Sequence, residues 1–531
     1  MADPSVNRPV LPANAVELEV FRHLFASVAE EMGVRLMRSA YSPNIKERRD
    51  FSCAVFDTAG QLLAQAAHIP VHLGAMPLSV HAVLERFPAA AMDPADVFVL
   101  NDPFTGGTHL PDVTVVAPCL LPDEDQPRFL VANRAHHSDI GGISPGSMPL
   151  SRSIDEEGLR IPPQRLDEAA IQRICAASRT PAERRGDLLA QRAALAVGRQ
   201  RLAELCGKHG PRLVSQRGIE LLDYTERLVR GIIAGVPDGR YEFSDVLDDD
   251  GLGAGDISIS CRLTISGSDA TADFSASAPQ VRGPVNATRA ITVSAVNYAV
   301  RCLAPADMPS NGGVMRPVTV VTRPGTVVDA QRPAAVAAGN VETSQRIVDV
   351  LLGALAQALP ARIPAASSGT MNNVSIGGRE ETRGVAYAYY ETIGGGAGGG
   401  PHLSGASAVH THMTNTLNTP VEAVEHAYPL RIEAYRIRRD TGGAGLHVGG
   451  DGIERSYVFD QPAEVTLLTE RRIRRPYGLA GGEDGAPGLN VLVLPDGTRR
   501  ALPGKCRIEV KPGQRLILAT PGGGGWGTLE P

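Results

Sequence analysis

Thr105-Gly106-Gly107-Thr108-His109-Leu110-Pro111-Asp112 puts an imidazole and a carboxylate three residues apart on a glycine-flanked loop that runs into the apolar stretch Val113 to Val116. Pro111 fixes its own φ and pushes Leu110 toward an extended conformation. A loop stiffened in this way aims both groups at one point at small ordering cost. Upstream, Val97-Phe98-Val99-Leu100 reads as a short strand that empties into Asn101-Asp102-Pro103. Downstream, Phe129-Leu130-Val131-Ala132 leads to Arg134-Ala135-His136-His137-Ser138-Asp139. Rigid strands that end in polar Gly and Pro loops are where binding and catalytic groups are usually mounted.

Outward from this stretch, Asn14 is placed to cap a helix whose apolar positions Phe21, Leu24, Phe25, Val28 and Met32 recur three and four apart. The period then changes to two: Phe51, Cys53 and Val55, a turn at Asp57-Thr58-Ala59-Gly60, and Leu62-Leu63 predict a hairpin with Asp50 at its mouth. Long helices are expected from Pro181 to about Gly207 and from Leu213 to Ile233, and strands from Tyr241 to Ala278. Glu342-Thr343-Ser344 opens a further helix stopped by Pro360. Gly394 to Gly400 reads as loop, and beyond Tyr428 strands alternate with Gly-Gly turns. The expected class is α+β: several lobes with mixed sheets, long helices and a β-rich, Gly-rich end. The lobes are placed at 1–235 (α/β, carrying the site loops), 236–430 (α+β) and 431–531 (β-rich).

Composition agrees with that division. At 531 residues the chain exceeds the roughly 250 to 300 at which single cores stop growing. With 43% hydrophobic and 21% charged residues it is ordinary globular material, while 57 Gly, 40 Pro and only 4% aromatics point to many turns and aliphatic cores. A formal charge of -6 and no long basic block argue against nucleic acid, and Arg471-Arg472-Ile473-Arg474-Arg475 reads as a solvated face or a set of ion-pair donors. Seven scattered Cys without a Cys-x-x-Cys pair suggest reduced thiols in a cytoplasmic setting. No stretch has the roughly 18 to 20 apolar residues of a membrane span, and the first fifteen residues lack a secretion pattern.

Some chemistries are excluded on pattern. Gly207-Lys208 is followed by His209 and Gly504-Lys505 by Cys506, so there is no phosphate-binding P-loop. Gly142-Ile143-Ser144-Pro145-Gly146 fits a nucleophile elbow except that Pro145 has no N–H to offer an oxyanion. Asp248-Asp249-Asp250-Gly251 lacks the ligands of a calcium loop and reads as a turn, and Cys53 reads as a buried thiol.

What remains is a His and Asp cluster: His109 and Asp112, His136 at the end of the next strand, and Asp50 at the hairpin mouth. Two imidazoles with two carboxylates suit zinc, manganese or iron(II); the same His-Asp pair could also simply fix a turn. His136 and His137 are adjacent, so in extended chain they face opposite ways, leaving one to ligate and the other to act as acid or base. His410-Thr411-His412 would present both imidazoles to one ligand if on a strand, and His68 and His72 form a similar candidate pair.

Several long stretches, in order, resemble the hydantoinase B/oxoprolinase family: Ile45-Lys46-Glu47-Arg48-Arg49-Asp50-Phe51-Ser52-Cys53-Ala54, His68-Ile69-Pro70-Val71-His72-Leu73-Gly74, Gly107-Thr108-His109-Leu110-Pro111-Asp112, Arg134-Ala135-His136-His137-Ser138-Asp139, Pro333 to Asn340, and Met413 to Glu422. The resemblance covers nearly the whole chain. It implies a cytoplasmic hydantoinase B-type component of an ATP-dependent hydantoin or lactam hydrolase. Its partner would be a hydantoinase A-like subunit that holds ATP and Mg, in a hetero-oligomer such as (αβ)2. It also implies one divalent metal, zinc or manganese, on Asp50, His109, Asp112 and His136. In that reading His137 or Asp139 moves the proton, and Gly106 and Gly107 offer backbone N–H groups to a developing oxyanion of the cyclic amide. The alternatives are a subunit of an acetone or acetophenone carboxylase, and a scaffold without catalytic work.

Overall fold

The computed structural model describes residues 13–66, 69–122, 124–381 and 384–528. The Asn14 side chain accepts from Glu17 N at 2.9 Å and opens α1 (Ala15–Ser39), which buries Phe21, Phe25, Val28, Met32 and Leu36 along one stripe. A short turn, α2 (Pro43–Lys46), delivers the chain to the expected hairpin of β1 (Phe51–Asp57) and β2 (Leu62–Gln65). Then come α3 (Ala75–Arg86), β3 (Phe98–Leu100), β4 (Asp112–Cys119), β5 (Phe129–His136) and β6 (Gln164–Arg165). The six strands form one antiparallel sheet, ordered β2-β1-β5-β4-β3-β6.

Both faces of this sheet are covered, which explains why its strands read as apolar runs. Val113, Val115 and Ala117 of β4 join the core formed with α1 and with α5 (Pro181–His209) and α6 (Pro211–Ala234), which follow α4 (Glu168–Ala177). Val116, Leu130 and Ala132 face the other way, onto Met76, Val80 and Val83 of α3.

A second sheet, β10-β9-β8-β7, comes from β7 (Gly239–Asp249), β8 (Gly255–Ser266), β9 (Asp269–Asp273) and β10 (Val318–Val321). Ile257, Ile259, Cys261 and Leu263 of β8 pack with α7 (Arg289–Cys302) and α8 (Ser344–Ala358). The helix expected from Glu342 begins as an α-helix at Ser344. Gly339–Thr343 is instead a wider π-helical turn, and Asn340 and Glu342 on it are buried.

The remaining elements are β11 (Asn373–Glu380), β12 (Val385–Glu391), α9 (Val421–Ala427), β13 (Leu430–Arg438), β14 (Gly452–Phe459), β15 (Ala463–Leu468), β16 (Leu489–Val493), β17 (Arg499–Leu502), β18 (Lys505–Val510) and β19 (Arg515–Ala519). They build two sheets, β12-β11-β15-β18 and β13-β14-β19-β16-β17, whose facing side chains include Tyr389, Val465, Tyr457 and Leu516. The first of these draws strands from both sides of residue 431. Beside them three glycine-rich segments lie against one another without side chains between. Gly396 N donates to Pro521 O (3.0 Å), Gly399 N to Gly524 O (2.8 Å), Gly450 N to Ala397 O (2.8 Å) and Gly523 N to Gly450 O (2.9 Å).

The stretch that looks like plain loop is thus held through its backbone. A Cβ on Gly396 would lie 1.9 Å from Gly450 O, whereas one on Gly231, in α6, would meet nothing within 4 Å. Gly396→Ala is therefore expected to cost about 3 kcal/mol or more. Gly231→Ala should be neutral or stabilising by up to about 1 kcal/mol. Denaturant midpoints check both, and equal midpoints for the two variants would contradict this packing.

Candidate metal centre

The strand register assembles the site. β5 lies between β1 and β4, and Asp112, at the start of β4, pairs directly with His136, at the end of β5. His136 N donates to the backbone oxygen of Asp50, the residue before β1, at 3.0 Å. Three neighbouring strand ends therefore present Asp50, His136 and Asp112 along one edge. His109 folds onto them through a tight turn in which Asp112 N donates to His109 O (3.1 Å) and Val113 N to Pro111 O (3.0 Å). Asn101 fixes the loop from behind, giving its Nδ2 hydrogens to Leu110 O (2.7 Å) and Leu159 O (2.9 Å) and accepting from Ile161 N (2.6 Å).

Asp112 is the centre. Its Oδ1 is 3.2 Å from His109 Nε2 and 3.4 Å from His136 Nδ1, and its Oδ2 is 3.5 Å from His72 Nε2. Thr108 Oγ1 donates to Oδ2 at 2.5 Å. Ligand atoms of His109, Asp112 and His136 all lie within 4.8 Å of one another. Asp50, His72, Asp112 and His136 line a small cavity of about 20 Å³ with Asn340, Tyr390, Met371 and Met413. That space suits one small ion or one water. Burial would by itself raise the Asp112 carboxyl; the imidazoles of His109, His136 and His72 outweigh it and hold the group well below the usual carboxylate range. Burial lowers His136 against the pull of Asp112, which keeps its ring neutral and able to donate a lone pair.

The surrounding groups fix these side chains. His109 Nδ1 faces Ala337 O at 3.3 Å, and Glu157 Oε1 holds that segment by accepting from Ala337 N (3.0 Å) and Val336 N (2.7 Å). The other nitrogen of His109 faces Asp112 Oδ1, and Asn340 Nδ2 stands 3.0 Å from it. The ring of Tyr390 stacks on His136 (4.5 Å, 9°) and carries the Arg48 guanidinium on it at 5.1 Å. Arg48 Nη1 is 3.8 Å from Asp50 Oδ2. The buried nitrogen His72 Nε2 and oxygen Asn340 Oδ1 have no hydrogen-bond partner. Such unpartnered atoms beside two carboxylates and two imidazoles fit a cation or a water.

A family model described as hydantoinase B/oxoprolinase matches residues 14–529. This chain belongs to that family. It is 39% identical over 546 residues to 5-oxoprolinase 1 of Arabidopsis thaliana, covering 97% of this chain and 42% of the plant protein. It thus spans about two fifths of that relative. It is 30% identical over 536 residues to a Pseudomonas sp. protein named as the putative B-type subunit of a D-/L-hydantoinase, covering 96% of this chain and 90% of that one. The crystal structure of an ATP-dependent caprolactamase from Pseudomonas jessenii superposes with a TM-score of 0.90 at 28% identity, over 98% of this chain and 92% of that one. The hydantoinase B/oxoprolinase fold is therefore the fold of this chain. No helix among the described residues is long and apolar enough to cross a membrane.

In this family member not every residue singled out in the sequence reaches the cavity. His137 turns to α5, its Nε2 3.0 Å from Gln191 Oε1. Asp139 is saturated, accepting from Gly141 N, Gly146 N, Ser178 Oγ, Arg179 N and Arg179 Nη1 at 2.9 to 3.2 Å. Both are loop anchors here, because strand alternation sends His137 to the face opposite His136. The N–H of Gly107 is spent on Asp102 O (2.9 Å), and neither Gly106 nor Gly107 lines the cavity. The strand expected at His410-Thr411-His412 does not form; His412 has φ 57° and sits beside Asp349 (3.7 Å) and the Tyr298 hydroxyl (3.3 Å). His410 instead feels Arg48 and Asn418, so the two rings do not converge. Of the other pair, His72 reaches Asp112, and His68 lies outside the described residues. Asn340 and Tyr390 carry no spacing signal toward a metal and are not legible in sequence as site residues.

Burial, with Arg184 adding, pushes His137 down to about 4 from an ordinary 6.5. Its neutral ring contributes stability that is complete above pH 6.5 and is lost as pH falls toward 4, where the unfolded chain is protonated and the folded one is not. Burial pushes Glu342 up to about 8 from 4.5, so its contribution is complete below pH 4.5 and is lost as pH rises toward 8. His137→Gln is expected to flatten the acid limb of unfolding midpoint against pH, and Glu342→Gln the alkaline limb. Profiles superimposable on the native one would contradict these assignments.

Proposed function

We propose that this chain is the metal-bearing, B-type component of an ATP-dependent hydrolase of cyclic amides, a hydantoin or lactam. It would work with an ATP-binding A-type partner. The buried Asp112, ringed by His109, His136 and His72 beside a space of about 20 Å³, carries the reading. A ring of that kind is built for a positive charge.

His109, Asp112 and His136 would hold one divalent ion, with Asp50 as the further carboxylate; two imidazoles and two carboxylates favour zinc or manganese. A divalent ion there supplies Lewis acidity, polarising an amide carbonyl and making water more acidic. The chain's own residues do the rest. Glu157, through Ala337, keeps the proton on His109 Nδ1 and turns Nε2 toward Asp112 and Asn340. Tyr390 and Arg48 fix the plane of His136. His72 takes the proton-moving role that the sequence suggests for His137 or Asp139: it lines the cavity, Ser52 Oγ lies 2.8 Å from its Nδ1, and its Nε2 lies 3.5 Å from Asp112 Oδ2. Amide resonance makes such rings resistant to water, and ATP spent by the partner would activate the carbonyl.

The partner reading rests on the Pseudomonas relative, named as one subunit of an enzyme and matched over nine tenths of its length, together with the lack of a P-loop in this sequence. With a reconstituted A-type partner and ATP, turnover is expected with 5-oxoproline, hydantoin or caprolactam. His109→Ala should lose it by more than about a hundredfold. His72→Gln should lower kcat with little change in bound metal. Glu157→Gln is expected to weaken the divalent ion by about 10 to 100-fold, read by metal titration without any turnover. Turnover of ketone plus bicarbonate in place of the ring substrates would move the chain to the carboxylase branch. Full turnover in His109→Ala would remove the site from the reaction.

A further inference from the structure

Beside the turn that carries Asp50, a hollow of about 560 Å³ opens along α1. Among the described residues its apolar walls are Val34 and Met37 of α1, Phe51, Ile69 and Leu417, and its charged groups are Glu30 and Arg49. That volume lies in the range of small-molecule pockets. Ile69 also lines the cavity beside Asp112. The two spaces alternate along the chain: Asp50 and Thr414 face the cavity, whereas their neighbours Arg49, Phe51 and Asn415 face the hollow. The wall between them is therefore one residue thick. It is also where the cavity is least sealed, since the Asp50 side chain is 10% exposed and those of His136, Asp112 and His72 are 3%, 1% and 0%.

The backbone at this wall is held in an unusual shape. Arg49 has φ 57°, in the left-handed region that a residue other than glycine seldom enters. Asp50 N donates to Asn44 O (3.1 Å) and Phe51 N to Arg49 O (2.9 Å), which fixes the turn. The result is that Asp50 lines the cavity and Arg49 the hollow. Backbone strain of this kind persists where the surrounding structure imposes it, and it clusters at binding sites. Arg49 is exposed and makes no ion pair among the described residues; Glu30 is exposed too, and no ion pair joins the two. A guanidinium without a partner, set among apolar side chains, suits a ligand that combines an apolar ring with a carboxylate, which the planar fork of Arg can hold through two hydrogen bonds.

We propose that this hollow is the entrance pocket of the ring substrate, and that Arg49 selects cyclic amides bearing a carboxylate over neutral ones. The apolar walls take the carbons of the ring and Arg49 its carboxylate, on the side of the wall next to Asp50. This deepens the cyclic-amide reading given above and rests on it.

The test is calorimetric titration of the full chain with 5-oxoproline and, separately, with γ-butyrolactam, the same ring without the carboxylate. Binding of 5-oxoproline about tenfold tighter or more is expected, the worth of one hydrogen bond to a charged group. Arg49→Gln should weaken 5-oxoproline by about tenfold and leave γ-butyrolactam unchanged, and Arg49→Lys should recover part of the loss. Leu417→Trp, at a position 49% exposed, should weaken both rings by filling the hollow. Arg49 is exposed and glutamine meets the same backbone angle as arginine, so Arg49→Gln should melt with the native protein. Removal of bound metal by chelation should keep the preference, because Arg49 sets it. Lack of turnover with an A-type partner, beside an intact preference in binding, would therefore count against the hydrolase reading and not against the pocket. Equal affinities for the two rings, binding of neither, or 5-oxoproline binding unchanged in Arg49→Gln would overturn the proposal.

Discussion

A carboxylate taken out of water is tolerated only where something positive or proton-bearing replaces the water, since the penalty amounts to several kcal/mol per ion. Asp112 is 1% exposed, and what replaces water around it is three imidazoles and a threonine hydroxyl. Those groups come from three different pieces of chain: the β4 loop, the end of β5, and the turn that carries His72. The arrangement of the N-terminal sheet, the loop stiffened by Pro111 and the packing of later segments all bear on that one buried charge.

Later segments of the chain close the site. Val341 and Asn340 arrive on the π-helical turn before α8, Tyr390 and Thr392 at the end of β12, and Met413 and Thr414 from the segment that Val71 N bonds at 3.3 Å. Because the roof belongs to residues hundreds of positions away, the cavity exists only when several cores are packed together. The glycine-rich segments contribute by letting backbones approach to hydrogen-bond distance, which keeps the two C-terminal sheets and their connections in one body.

Local pattern makes much of this readable. The Asn14 cap, the β1/β2 hairpin and the three strands that end at the polar loops follow from periodicity and turn chemistry, and the candidates Asp50, His109, Asp112 and His136 follow from those strand ends. Side-chain direction is harder. Alternation correctly separates His136 from His137, but only the packed α5 shows that the space beyond His137 is filled by Gln191 and not by substrate. Asp139 looks like a free acid in sequence because its five donors come from loops that the sequence cannot place. Gly106 is a site of close backbone approach, as a glycine there suggests, with φ 88°, but what it approaches is the backbone of Leu78. Tyr390 and Asn340 join the site through tertiary contacts alone, to which periodicity is blind.

The central claim is that the space beside Asp112 is made for one divalent cation. Crystals of the native protein, measured on both sides of the zinc and manganese absorption edges, test it most directly. A single anomalous peak within bonding distance of His109 Nε2, Asp112 Oδ1 and His136 Nδ1 is the result expected. A water there, or imidazoles bonded directly to the Asp112 carboxylate with no peak after growth in either metal, would contradict it.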